Sequence, residues 1–351
     1  MTPIHLPLLA SLIVTFAVHA DATQDHQGHP DLSGVYDTGT LTPLNRPPQF
    51  GDRQFMNAEE ANLVLTNIKQ RYKALERETS SGDRTAPQKG GDGNNNFGAG
   101  GVGGYNAFWI DPGNEVNKVN GSYRTSIIYD PPDGRQPPMT SEALLRRAQI
   151  YGSFGHSNDG TASWLAHDGP GPFDGPESLA PSERCLISFG ATVPTLPSLY
   201  NNYKRIVQTR DSIMILQEMV HDARIIRMNA QHSPGTNRKW MGDSIGHFEG
   251  DTLIVHTTNF KPLSSLGGAD ENLEVTERFK RADNGDLIYN FTVNNPTAWT
   301  APWSGEYAWT RKDEDKVYEY ACHEGNYAMG NVLRGARLLE SEWTGPTGGG
   351  Q

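Results

Sequence analysis

Between residues 203 and 324 the sequence consists of short segments rich in β-branched and aromatic residues, separated by Gly, Asn and Asp. These segments lie at 205–209, 212–219, 223–228, 239–249, 252–259, 273–281, 287–293, 306–310 and 317–322. No helix long enough for a crossover intervenes, so consecutive strands are expected to pair antiparallel. Eight or nine such strands close most economically into a barrel. The sequence therefore predicts a mainly β fold: an antiparallel up-and-down, lipocalin-like barrel with an N-terminal helical and loop-rich wrap and a C-terminal helix.

The first twenty residues are typical of an export signal. An apolar run from Leu6 to Val18 precedes a small-residue cleavage pattern that ends at Ala20, and the sequence then turns polar. We expect cleavage after Ala20 and a periplasmic mature protein. The alternative for this run is a buried N-terminal strand.

The rest of the chain divides into three parts by composition. Residues 21–121 form the N-terminal wrap, with a helix at 57–77 and a Gly-rich loop at 89–104. Residues 122–340 form the barrel domain, with a covering segment at 140–200 and a helix at 327–339. Residues 341–351 are expected to be a disordered tail.

The net charge limits which molecules the protein is expected to bind, and the cysteines bear on its compartment. A net charge of −11 without a basic stripe argues against nucleic acid and against a stable membrane anchor. A hydrophobic aromatic small molecule is the expected partner, and a homodimer is left open. The two cysteines, Cys185 and Cys322, either form a disulfide in an oxidising compartment or remain separate buried thiols.

Two hairpins can be aligned from the sequence alone. The Gly250-Asp251 turn sets Phe248 opposite Leu253, which places His247 and His256 as diagonal neighbours on the other face. In the second hairpin, a loop at 283–285 pairs Phe279 with Tyr289, Glu277 with Phe291, and Val275 with Val293. Any one-residue slip would scatter the apolar set.

Glu277 is then the lone ionisable residue on an apolar and aromatic strand face, while Arg278 points the other way. A poorly solvated carboxylate of this kind is a candidate general acid or base, with Tyr289 nearby to orient a substrate oxygen. The alternative is a structural ion pair inside the barrel, with Arg224 or Arg227 as its partner.

Further polar residues fall where strands leave the barrel. His221, Asp222 and Arg224 lie between two apolar strands and crowd one mouth together with Glu218. His323 follows the last predicted strand, beside Cys322. We predict Glu277, His221, Arg224, Tyr289 and His323 as catalytic residues, against the alternatives of a polar turn for Asp222 and a helix-capping loop for His323.

Metal and nucleophile motifs are weak in this sequence. Enough His, Asp and Glu residues are present for a metal, but no H-E-x-x-H or H-x-H run occurs, and no G-x-S-x-G marks a serine nucleophile. We therefore expect neither a metal nor a cofactor. Aromatic residues predict a pocket for a flat apolar ligand, with Phe279, Phe291, Trp299 and Trp303 as substrate-binding residues. The alternative for these rings is ordinary core.

Long motifs make the chain resemble a group of exported bacterial proteins that are mostly described as hypothetical. The matching segments are SERCL at 182–186, YNNYKRIVQT at 200–209, EMVHDARII at 218–226, GDSIGHFEGDTLIVHTTNF at 242–260 and YEYACHEGNYAMGNVLRGAR at 318–337. The resemblance implies export but no settled activity. A looser architectural likeness connects the predicted barrel with lipocalin-like lyases such as phenolic acid decarboxylases, which use a buried Glu, an Arg and tyrosines.

Together these features predict a cofactor-independent lyase or isomerase that acts by acid/base chemistry on a hydrophobic, aromatic, lignin-derived small molecule. Two other functions are open. One is a non-catalytic periplasmic carrier of hydrophobic ligands, and the other is a metal-dependent hydrolase or oxygenase.

Overall fold

The computed structural model describes residues 28–75, 110–150, 160–188, 190–264 and 266–345. The predicted signal peptide, the Gly-rich loop at 89–104 and residues 346–351 of the predicted tail lie outside the described residues. Within these ranges, no helix is both long enough and apolar enough to cross a membrane.

The described part of the chain contains thirteen strands and three α-helices. The strands are β1 (Gly34–Asp37), β2 (Phe55–Met56), β3 (Lys118–Val119), β4 (Ser122–Arg124), β5 (Ile128–Asp130), β6 (Tyr203–Gln208), β7 (Ser212–Gln217), β8 (Ala223–Met228), β9 (Asp243–Glu249), β10 (Thr252–Thr258), β11 (Glu274–Arg281), β12 (Leu287–Asn294) and β13 (Trp303–Arg311). The α-helices are α1 (Ala58–Leu75), α2 (Ser141–Ile150) and α3 (Ala328–Ser341).

Nine strands form a closed barrel, in the order β1-β6-β7-β8-β9-β10-β11-β12-β13. The pairing of β1 with β13, which sets Tyr36 opposite Arg311, closes the ring. Strand β5 adds a short pairing to β13, and β2, β4 and β3 make a separate small sheet. The fold is thus mainly β and built on a mostly antiparallel barrel, as the sequence predicts.

One pairing departs from the predicted up-and-down order. Strands β8 and β9 are parallel, because residues 229–242 run back along the barrel before β9 begins. The predicted strand at 239–249 accordingly starts only at Asp243, and Lys239 makes one isolated bridge to Phe260. A connection of that length lets the chain return to the same end of the barrel without a helix.

The ends of the barrel also differ from the sequence-based expectation. Residues 317–322, predicted as the last strand, form no strand. The ninth strand is instead β1, which lies in the N-terminal segment. Because β1 pairs with both β6 and β13, it occupies the edge that a strand at 317–322 would need.

Both predicted hairpin registers are confirmed. Phe248 pairs with Leu253, and His247 lies opposite Ile254 with His256 as its diagonal neighbour. Phe279 pairs with Tyr289, Glu277 with Phe291, and Val275 with Val293. Gly285 has φ +88°, the left-handed conformation that this loop requires and that glycine adopts without strain.

The core lies inside the barrel, where alternate residues of each strand point inward. The large, fully buried aromatic side chains on its strands are Tyr36, Phe279, Tyr289, Phe291, Trp303, Tyr307 and Trp309. These rings pack edge-to-face or tilted, with Phe279 and Tyr289 centroids 4.9 Å apart and Phe291 and Trp303 centroids 5.7 Å apart. Packed aromatic side chains therefore make up much of the barrel interior.

The helices predicted at 57–77 and 327–339 correspond to α1 and α3. Asn57 caps α1, because Asn57 Oδ1 accepts the Glu60 amide at 2.9 Å and Glu60 Oε2 accepts the Asn57 amide at 3.0 Å. Thr140 caps α2, with its hydroxyl oxygen 3.1 Å from the Ala143 amide nitrogen. The C-terminal helix α3 begins at Ala328, and only Ala336 in it is buried.

A disulfide joins Cys185 to Cys322, which decides between the two alternatives that the sequence left open. It closes a sequence separation of 137 residues. In the chain-entropy model such a loop contributes about 4–5 kcal/mol to stability. The bridge ties residues 315–322, which follow the last strand, to the covering segment.

Candidate active site at the barrel mouth

Glu277 lies in the barrel interior and is 0% exposed. Arg224 forms a bidentate ion pair with it: Nη2 donates to Oε2 at 2.6 Å and Nη1 donates to Oε1 at 3.2 Å. Strands β8 and β11, which carry these residues, are separated by two strands in the sheet, so the pair bridges the lumen. Arg227, the other predicted partner, points outward and binds Asp243 at 2.8 Å.

Tyr289 extends this ion pair into a network. Its hydroxyl donates to Glu277 Oε1 at 2.7 Å and accepts the Thr195 amide at 2.9 Å. Tyr307 donates to the Thr195 carbonyl at 3.1 Å. Burial, followed by the charge of Glu277, raises the pKa of Tyr289 well above its usual value, so Tyr289 stays a neutral donor. Residues 190–195 are thereby fixed against inward-facing side chains.

The predicted substrate-binding residues lie around this network. Phe279, Phe291, Trp299 and Trp303 are all buried, with exposures from 0% to 2%. Trp299 packs edge-to-face on Trp303 with ring centroids 5.8 Å apart. The structure brings these rings together with Glu277 and Tyr289, and their contacts are those of tightly packed core.

Glu277 thus has the structural partner that the sequence analysis left open. Its two carboxylate oxygens accept three hydrogen bonds from Arg224 and Tyr289. A general base must reach the proton that it removes, either directly or through one water. In this geometry Glu277 faces protein donors, and its catalytic role stays a prediction.

An open cleft lies at the barrel mouth where β1 and β7 end and β6 begins. Its volume is about 1040 Å³. We call it the tyrosine cleft, since four of its lining residues are Tyr200, Tyr203, Tyr318 and Tyr320. Its carboxylates come from Asp37, Asp111, Glu218, Asp315 and Glu319.

Three separate contacts hold the outer wall of the cleft, at residues 318–322. His221 Nδ1 lies 2.8 Å from the Tyr320 carbonyl oxygen, and Glu218 Oε1 accepts the Tyr318 amide at 3.3 Å. The disulfide anchors Cys322 to Cys185. The predicted mouth residues Glu218 and His221 therefore do lie at the mouth, where they shape the cleft.

The predicted catalytic histidines are separated from Glu277. His221 and His323 are exposed, whereas Glu277 is fully buried. His323 belongs to a turn that precedes α3. Arg224 is the one member of the predicted mouth group that enters the lumen and contacts Glu277.

Lys204 is an ionisable residue that the sequence analysis missed. It is 0% exposed on β6, and its Nζ donates to the Gly190 carbonyl at 3.1 Å. Burial lowers the pKa of Lys204 to about 8, and the nearby carboxylates of Glu218 and Asp37 partly offset this effect. Burial and the neighbouring Asp111 raise the pKa of Asp37.

Gln217 lies beside Lys204 on the adjacent strand, β7. It is fully buried, and neither its amide nitrogen nor its amide oxygen has a hydrogen-bond partner in the described part of the chain. Arg224 Nε is also buried without a hydrogen-bond partner in the described part of the chain. A polar layer therefore runs inward from the cleft through Lys204 and Gln217 towards the ion pair.

The alternation of inward and outward side chains along the strands could have placed Lys204 and Gln217 in the barrel interior. Lys204 alternates with the buried Ile206, and Gln217 continues the buried series Ile213 and Ile215. A strict period-2 assignment would have placed both side chains inward. The position of Asp37 could not be inferred in this way, because the sequence analysis assigned no strand to its segment.

The histidines considered as metal ligands do not form a three-ligand group. Among the residues the structure describes, no set of three or more His, Cys, Asp and Glu side chains could hold a metal ion. His247 binds Glu249 at 3.1 Å, and His256 instead contacts His232.

Fold and site together define a closed mixed β-barrel with an ion pair across its lumen and a tyrosine-lined cleft at its mouth. The chain matches no protein-family model, and no curated protein matches it significantly. The resemblance to exported bacterial proteins and the likeness to lipocalin-like lyases therefore stay predictions.

The buried pair of Arg224 and Glu277 predicts how the free energy of unfolding changes when one or both charges are removed. Glu277→Gln and Arg224→Met each leave one buried charge unpaired, so each should lower the free energy of unfolding by about 3–5 kcal/mol. The double variant should lose no more than either single variant, because no unpaired charge remains. Urea unfolding of the four proteins measures this coupling.

A matched control comes from the pair of Arg184 and Glu177, in which the Glu177 side chain is 81% exposed and the nitrogen–oxygen distance is 3.7 Å. Glu177→Gln should cost less than about 1 kcal/mol, as expected of an exposed pair. Losses that simply add in the double variant would contradict a direct interaction across the lumen.

Lys204 predicts a pH dependence of stability. Its native pKa of about 8 lies below the unfolded value of 10.5, so between these values the unfolded chain binds more protons. The free energy of unfolding should then rise with pH over this window, by about 3 kcal/mol in total. Lys204→Met lacks this titration, so the difference between wild type and variant isolates it. A difference that stays constant from pH 7.5 to 10.5 would contradict the lowered pKa.

Proposed function

We propose that this protein is a cofactor-independent lyase or isomerase that performs acid/base chemistry on an aromatic small molecule bound in the tyrosine cleft. The observation that carries the proposal is that the half-buried Asp37 and the buried Glu218 line an open, tyrosine-walled cleft. Clefts that combine these features are the default candidates for active sites.

The walls of the cleft suit an aromatic ring with polar substituents. Tyrosine rings supply flat apolar surface, and their hydroxyls supply hydrogen bonds at the edge. The Tyr203 hydroxyl donates to Asp315 Oδ2 at 2.7 Å, which fixes that ring. Burial and this hydrogen bond raise the pKa of Tyr203, so it remains protonated. A phenol or aromatic alcohol matches these walls.

Proton transfer is assigned to Asp37, which lines the cleft at the end of β1. Its Oδ1 accepts the Gly39 amide at 2.8 Å, which orients the carboxyl group. A raised pKa brings a carboxyl group closer to the range in which it both accepts and returns a proton. Lys204, buried behind the cleft, interacts electrostatically with Asp37 and Glu218 and adds positive charge near the two carboxyl groups.

The geometry favours this enzyme over the hydrophobic carrier. A carrier needs a hollow apolar lumen, whereas Phe279, Phe291, Trp303 and Trp309 are each 0% exposed inside the barrel. The accessible space at the mouth is lined by carboxylates as well as by tyrosine rings. Ionisable groups that converge on a cleft are what acid/base catalysis needs.

We also propose that the protein works outside the cytoplasm. The disulfide between Cys185 and Cys322 supports this, since structural disulfides persist in oxidising compartments. The export signal expected at residues 1–20 would provide the route.

Substrate conversion and one substitution test the proposed function. The purified protein, with no cofactor added, should convert at least one member of a panel of lignin-derived phenolic dimers, as followed by mass spectrometry. Asp37→Asn should lower turnover by about 100-fold or more, because the isosteric amide cannot exchange the proton. Its melting temperature should stay close to that of wild type, since the amide oxygen still accepts from Gly39.

The control is Asp283→Asn, the same chemical change at an exposed residue that does not line the cleft. This variant should keep wild-type turnover. Full turnover in Asp37→Asn, or neither conversion nor binding of any phenol by the wild type, would overturn the proposal.

A further inference from the structure

A chain of three side chains lies on the outer side of the barrel, at strands β9 and β10. Asp243 begins β9, His256 lies within β10, and His232 belongs to the connection between β8 and β9. His232 Nδ1 lies 3.1 Å from Asp243 Oδ2, and His232 Nε2 lies 2.8 Å from His256 Nδ1. None of the three residues lines the tyrosine cleft.

Asp243 is held firmly as a carboxylate. It is 2% exposed, and its Oδ2 accepts Arg227 Nη2 at 2.8 Å and the Ser233 amide at 2.9 Å. The Ser233 hydroxyl donates to Oδ1 at 3.1 Å. A carboxylate surrounded by donors can only accept from a neighbouring imidazole, so it fixes the proton of His232 on Nδ1.

This tautomer leaves the lone pair of His232 Nε2 directed at His256. A histidine that donates one ring N–H to a carboxylate and presents its other nitrogen is the arrangement found around metal ligands, where the carboxylate orients the ring. The two imidazoles meet edge to face, with ring centroids 5.0 Å apart and planes at 68°. Their nitrogens therefore face each other across a short gap.

The distance between these two nitrogens is close to the spacing of two imidazole ligands around one metal ion. Zinc binds imidazole nitrogens at about 2.0–2.1 Å in tetrahedral geometry, which sets two ligand nitrogens a little over 3 Å apart. In the present contact the two nitrogens face each other head-on at 2.8 Å, so both rings must turn until their lone pairs converge on one ion. The His232 side chain is 22% exposed, so an ion can reach the pair from solvent.

We propose that His232 and His256 form a binding site for one divalent transition-metal ion, with Asp243 as the residue that positions His232. The metal takes the place of the hydrogen bond between the two imidazoles: the proton of His256 moves to its Nε2, and the freed Nδ1 lone pair binds the ion. Water occupies the remaining coordination positions. Imidazole ligands suit Zn²⁺, Ni²⁺ and Cu²⁺, and Cu²⁺ should bind most tightly. The site is separate from the proposed acid/base chemistry, which needs no metal.

Calorimetric titration of the chelator-treated protein with ZnCl₂ and with CuCl₂ tests this site. Wild type should bind one ion per chain, and His256→Asn should weaken binding by about 100-fold or more through loss of one of two ligands. Asp243→Asn should weaken binding by about 10- to 100-fold while both imidazoles remain. Copper-loaded wild type should show hyperfine coupling to two imidazole nitrogens in electron paramagnetic resonance.

The matched control is His247→Asn. His247 lies on β9, its side chain is 51% exposed, and it contacts Glu249 rather than either imidazole. Its loss should leave affinity unchanged. The proposal fails if wild type binds no stoichiometric ion, or if His247→Asn weakens binding as much as His256→Asn. Because Asp243 is buried, its variant is interpreted with a melting curve, and His256→Asn decides the outcome should Asp243→Asn not fold.

Discussion

The ion pair between Arg224 and Glu277 is the interaction on which the barrel interior depends. Moving two charges out of water costs several kcal/mol for each ion, and only close, complete pairing offsets that cost. The bidentate contact, with oxygens and nitrogens 2.6 and 3.2 Å apart, supplies the pairing. Because it connects β8 to β11, it also fixes the distance between opposite walls of the lumen.

The same pair determines how the covering segment is placed. Glu277 accepts from Tyr289, and Tyr289 in turn accepts from the Thr195 amide. Lys204 reaches the Gly190 carbonyl at the other end of this stretch. Interior polar groups thus hold residues 190–195 at the barrel, and the reactive groups that remain accessible are those at the mouth. A rigid frame of this kind is what a precise acid/base site needs.

Much of the barrel follows from local sequence patterns. The hairpins of β9–β10 and β11–β12 were predictable in register, because a side-chain period of two and a fixed loop length leave only one pairing that keeps the apolar set together. The same periodicity placed Glu277 inside. The alternation along β8 also distinguishes Arg224 from Arg227 as the partner of Glu277, because Arg224 lies on the same buried face as Ile226.

Other features depend on contacts between distant parts of the chain. The parallel pairing of β8 with β9 is set by the path of residues 229–242, and no local pattern encodes strand direction. The alternation at 317–322 is typical of a strand, but β1 already closes the barrel edge. The tyrosine cleft draws on three separate regions, at Asp37, at residues 200–203 and at 318–322, so spacing alone could not assemble it.

The closed lumen supports the fold, and the open cleft is the site that we propose for the chemistry. A crystal structure of the Asp37→Asn variant with its substrate bound tests this division most directly. We predict the aromatic ring among Tyr203, Tyr318 and Tyr320, with the amide of residue 37 within hydrogen-bond distance of the reacting group. A ring placed instead between Phe279 and Phe291, in contact with Glu277, would contradict it.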